Sequence, residues 1–189
     1  MPRGTPDAGS TETRTLEAFA DTVLPGVKRT PEDTAVAGRS HDAGAVEAGA
    51  LELLRTPATG LASGLAEFTE LLNGHAARYA DQHGTALDGG LPPFVQLSFE
   101  DRTALVRALT SPGHPEKEFW VMLALFCNMA YDSAAHTSTP AAIAAGHPGL
   151  RAMGFAAPDP DGLLRFKDYS YGRPLARLHP DTTSSGSPA

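Results

Sequence analysis

The chain has one cysteine, Cys127, in 189 residues. It therefore cannot hold itself together with an internal disulfide, and a thiol inside an apolar run is expected to be buried and unreactive. No run of Lys or Arg occurs, and the formal net charge is −7. That balance argues against a phosphate backbone or an anionic membrane surface as partner. The longest apolar run, Phe119 to Cys127, is nine residues, far short of the roughly 20 that span a bilayer. The first 20 residues carry neither a secretory apolar core nor a twin arginine, so a cytoplasmic location is expected. Two signatures of chemistry are also missing. No Gly-x-Gly-x-x-Gly or P-loop lysine is present to cradle a phosphate, and no Gly-x-Ser-x-Gly elbow to present a serine nucleophile.

What is present is helical periodicity. With 41% hydrophobic residues, the chain can bury one proper core, and a second would be crowded. Leu16, Phe19, Ala20, Val23 and Leu24 follow the i, i+3, i+4, i+7, i+8 pattern of a helix that Pro25-Gly26 stops. A polar loop without period runs from Pro31 to about Ser40. Val46, Ala50, Leu53 and Leu54 mark a second helix, ended at Thr56-Pro57. Leu61, Leu65, Phe68, Leu72, His75 and Tyr79 form the stripe of a third, ended at Gly84 by a left-handed cap. Leu91-Pro92-Pro93-Phe94 predicts an extended connector. Ser98 with Asp101 predicts the N-terminus of a fourth helix bearing Leu105, Val106 and Leu109, ended by Pro112-Gly113.

The central helix follows, with Pro115, Glu116 and Glu118 suited to its first turn. Its run from Phe119 to Cys127 is apolar on every side, which predicts the most buried element of the fold. Ser138 or Thr139 caps a short helix at Pro140 to Ala145. From Gly146 to Arg173, glycines and prolines recur among Phe155, Phe166, Tyr169 and Tyr171, which predicts an irregular aromatic arm. The expected architecture is an all-α, single-domain bundle of about five main helices: residues 13–181, with 146–181 as the arm and loose ends at 1–12 and 182–189.

Asn128, Asp132 and His136 are four residues apart, which on a continuous helix stacks them on one stripe beyond the apolar run. Three readings of Asp132 and His136 stay open. His136 could cap the helix C-terminus and bond Asp132. The two could form an acid–base dyad, the carboxylate orienting the imidazole. They could supply two metal ligands with Asn128 as a third, completed by His114, His147 or Glu118; residues on one helix do not close such a site alone, so no metal is assigned. Trp120 reads as core, needing one partner for its indole N–H, or as a wall for a bound aromatic ligand. Glu116, Lys117 and Glu118 read as a solvated first turn, with Glu118 able to turn inward. His75 reads as a satisfied core histidine. Tyr169, Tyr171 and Arg173 alternate along an extended segment, the composition of an interface centre or of an arm pinned to its own bundle.

The blocks Leu16-Glu17-Ala18-Phe19-Ala20-Asp21-Thr22-Val23-Leu24-Pro25-Gly26 and Asn128-Met129-Ala130-Tyr131-Asp132, with the late Gly-Pro-aromatic arm, resemble the small (gamma) subunit of gluconate 2-dehydrogenase. More specifically, the chain is similar to a bacterial subgroup sharing the blocks His114 to Trp120 and Asp132 to His136. The resemblance covers most of residues 14–181. It implies a helical accessory subunit that binds a flavin-dependent oxidoreductase of the glucose-methanol-choline type, with FAD in that partner and no cofactor of its own. His114, Glu118, Trp120, Asn128, Tyr169, Tyr171 and Arg173 are then the candidate partner- or substrate-binding residues. The alternative is a small stand-alone enzyme acting on a hydrophobic metabolite through Asp132 and His136, with or without a metal.

Overall fold

In a computed structural model that describes residues 10–157 and Asp181, the regular elements are all helical. α1 (Thr11–Val23) starts where the Ser10 hydroxyl accepts from the Thr13 amide, an N-cap that replaces a missing intrahelical partner. α2 (Ala50–Arg55), α3 (Leu65–His83), α4 (Pro93–Gln96), α5 (Phe99–Leu109), α6 (Lys117–Ser133), α7 (Thr139–Ala144) and α8 (Pro148–Ala152) follow, with a short 3-10 turn at Pro57–Thr59. The chain divides into two units, Met1–Phe155 and Ala156–Ala189, and every helix described lies in the first.

The all-α bundle expected from the periodicity is what forms, and many of its ends follow the local chemistry. α3 closes at Gly84 in the left-handed region, φ 66°. α5 opens where Ser98 accepts from the Asp101 amide at 3.1 Å. α7 stops just before Gly146, φ 72°.

Two proline-rich stretches expected to be irregular are helical turns. Pro93 opens α4 and Pro148 opens α8, because a proline at the first helical position loses only an amide that would have had no partner there. The His147 Nδ1 caps α8 by accepting from the Leu150 amide at 3.3 Å.

Burial differs most from expectation. α1 touches every helix from α2 to α6, and nine of its 13 residues are buried, against four of 17 in α6. The central element is therefore α1. Its polar residues are tolerated because each is satisfied: Thr15 and Thr22 donate to carbonyls one turn back, and Asn73 of α3 donates to Thr15. Asp21 accepts from the Gly26 amide at 3.0 Å and the Ala37 amide at 2.8 Å. Burial raises its pKa above the ordinary aspartate value, while those amides and the nearby Arg102 work in the opposite direction. Arg102, 4% exposed, donates to the carbonyls of Thr34, Ala35, Phe94, Val95 and Leu97. The aperiodic loop between α1 and α2 is thus pinned by one buried acid and one buried guanidinium.

α6 packs chiefly on α2. Trp120, Leu123, Cys127 and Ala130 face inward, spaced to share one stripe. The opposite face is open: Leu125 is 55% exposed, Val121 41% and Met122 37%. The expectation of burial on all sides is corrected here, since among the described residues the bundle supplies neighbours on one side of α6 only.

Candidate functional site

The N-terminal end of α6 gathers several of the residues singled out from the sequence. Glu116 Oε2 accepts from Trp120 Nε1 at 2.9 Å and from His75 Nε2 at 2.8 Å. Arg78 reaches His75 Nδ1 at 3.0 Å. An arginine can only donate, so Nδ1 accepts and the ring proton sits on Nε2, which fixes the His75 tautomer. His114 lies beside them, its Nδ1 accepting from the Glu116 amide at 3.1 Å and its ring 5.9 Å from that of His75. The indole bond, followed by His75 and His114, holds the Glu116 carboxyl below the ordinary glutamate value of 4.5.

Trp120 is fully buried, packed on Phe19 and Phe119. It is core, and Glu116 is the partner its indole needs. Glu116 stays partly exposed at the start of α6, with one carboxylate oxygen engaged by the Trp120 and His75 donors. The signal for it was available: a carboxylate one helical turn before the only tryptophan. His75 was not identifiable as its second donor, because that contact joins α3 to α6. A carboxylate stabilised as an anion is a weak base at neutral pH, and its bonds to His75 and Trp120 tie α3 to the start of α6.

The C-terminal end differs. α6 ends at Ser133 because Ala134, fully buried, adopts the left-handed conformation, φ 49°, with its amide on the Met129 carbonyl. His136 therefore lies beyond the helix, and the projection of about 100° per residue no longer applies to it. Asn128 and Asp132 are exposed on α6, and Asn128 donates back to the Ala124 carbonyl. His136 instead packs on the start of α2: a Cβ built on Gly49 would lie 2.5 Å from its ring. Its ring is 5.8 Å from that of His147. Among the described residues the buried His136 Nδ1 has no hydrogen-bond partner, and burial, more than His147, lowers its pKa. His147 Nε2 bonds the Ala48 carbonyl at 2.9 Å.

The expected Asp132–His136 pairing is thus absent among the described residues, whether as a cap or as a dyad. Of His114, His136 and His147, only the last two converge. No group of three metal-ligating side chains is assembled among the described residues.

The sequence profile of DUF5987, a family of unknown function, matches residues 10–189. The chain belongs to that family. No curated protein and no solved structure matches it. The match begins at the N-cap of α1 and includes both ends of α6.

Glu118, the remaining candidate on α6, is exposed and does not turn inward. It shares the outward face with Val121, Met122 and Leu125. Tyr169, Tyr171 and Arg173 lie outside the described residues. Two surface grooves, of about 550 and 630 Å³, border the loop after α1 and share Glu32, Asp33, Thr34 and Leu91. Neither includes a residue chosen from the sequence, and Arg29 in the first is held by Glu17 and Asp33. Cys127 is fully buried and its thiol is pushed up to about 12, which makes it a poor nucleophile.

Proposed function

We propose that this chain is a non-catalytic companion subunit that binds and supports a flavin-dependent oxidoreductase of the glucose-methanol-choline type, in a cytoplasmic biosynthetic or catabolic pathway. The observation that carries this reading is the outward face of α6. Three neighbouring apolar side chains, Val121, Met122 and Leu125, stand open on one helix, and a cluster of this kind on a folded surface marks a contact more often than isolated apolar residues do. The resemblance of the α1 and α6 blocks to the gluconate 2-dehydrogenase small subunit supplies the class of partner. In this reading FAD and the redox chemistry belong to the partner. The stand-alone enzyme reading is weaker, because Asp132 and His136 point to different surroundings and cannot work as an orienting pair.

Co-expression of the full chain with the flavin-dependent oxidoreductase should give one co-purifying complex whose activity exceeds that of the flavoprotein alone. Separate elution, together with a flavoprotein fully active by itself, would end the proposal.

A further inference from the structure

We infer that the outward face of α6 docks a heterologous surface that is apolar at its centre and basic at both ends, and not a second copy of this chain. The inference rests on the companion-subunit reading and specifies its contact.

Glu118, Leu125 and Asp132 are spaced seven residues apart along α6, two turns each, so they lie on nearly one line with Leu125 midway. The two acidic positions are about 21 Å apart along the helix axis at a rise of about 1.5 Å per residue. Val121 and Met122 widen the apolar centre. Among the described residues neither acid has an ion-pair partner: the ion pairs there join Arg29 to Glu17 and Asp33, Arg39 to Glu100, Arg55 to Glu12 and His75 to Glu116.

This arrangement discriminates between occupants. In a two-fold pair the same surface meets itself. If two copies pack α6 antiparallel with Leu125 on the axis, Glu118 of each faces Asp132 of the other. If they pack parallel, glutamate meets glutamate and aspartate meets aspartate. Both registers press carboxylates together around an apolar contact, and like charges across an interface select against that partner. A surface with lysine or arginine at each end of an apolar patch reverses the sign of both end contacts. The chain's net charge of −7 adds a long-range attraction toward such a basic face.

The test uses the full chain with the flavin-dependent oxidoreductase, compared with Leu125→Asp and with the double variant E118K/D132K, each checked for an unchanged unfolding midpoint. Leu125→Asp should raise Kd at least 100-fold. E118K/D132K should raise it at least 10-fold at low salt and flatten its dependence on salt. The isolated chain should sediment as a monomer. Wild-type affinity in both variants would overturn the docking face while leaving the companion reading intact. A dimer of the isolated chain that Leu125→Asp dissociates would overturn the choice of a heterologous partner. Absence of any complex with the wild-type chain would remove the companion reading and this inference with it. Should Leu125→Asp unfold the bundle, the double variant decides.

Discussion

α1 and α6 reverse the usual relation between composition and burial. α1 contains Thr15, Glu17, Asp21 and Thr22 among its buried residues, whereas α6 leaves Val121, Met122 and Leu125 open. The difference shows that position in the topology decides what is covered. α1 has neighbours on all sides, so its polar groups had to find partners and did. Among the described residues α6 has neighbours on one side, so its surplus apolar surface stays exposed.

The comparison breaks most sharply at one residue on each helix. Phe19→Ala should cost about 3–5 kcal/mol by urea unfolding, because a fully buried ring leaves a cavity among α1's neighbours. Leu125→Ala should stay within about 0.5 kcal/mol, as expected for a surface position. Equal costs would mean that the outward face of α6 is covered in solution. Next in size, Asp21→Ala should cost about 2–3 kcal/mol, since it strips the acceptor from the Gly26 and Ala37 amides. Faster exchange of those two amides would identify the loop as the part released.

Acid gives the smallest effect, with opposite sign on the two helices. Asp21 has a folded pKa above its ordinary value of 3.8. Its titration therefore favours the folded state at low pH, and that contribution fades as pH rises through the folded value. Glu116 has a folded pKa below 4.5, so its contribution is present above 4.5 and is lost as pH falls through the lower folded value. Trp120 is the only tryptophan and donates to Glu116. Its fluorescence should hold steady down through the ordinary glutamate range and change only below it. A transition centred at or above 4.5 would contradict the carboxylate–indole bond.

The parts of the fold visible in the sequence were those with local causes. The α1 stripe, the Ser98 cap and the Gly84 stop each depend on residues within a turn or two. The orientation of α6 was hidden, because nine consecutive apolar residues have no period from which to choose an inner face. The partnership of Asp21 and Arg102 with the loop was hidden for another reason: a lone charge gives no sign of which distant amides or carbonyls it will meet. The Asp132–His136 pairing failed at a single backbone position. An alanine at 134 gives no hint of the left-handed turn that glycine or asparagine would have suggested.

The sealed position of Cys127 leaves the folded protein without an accessible native thiol. Leu125→Cys would place a single labelling handle in the middle of the open α6 face. A maleimide dye there would couple at one position and report, by quenching or by protection from the reagent, the moment a partner arrives.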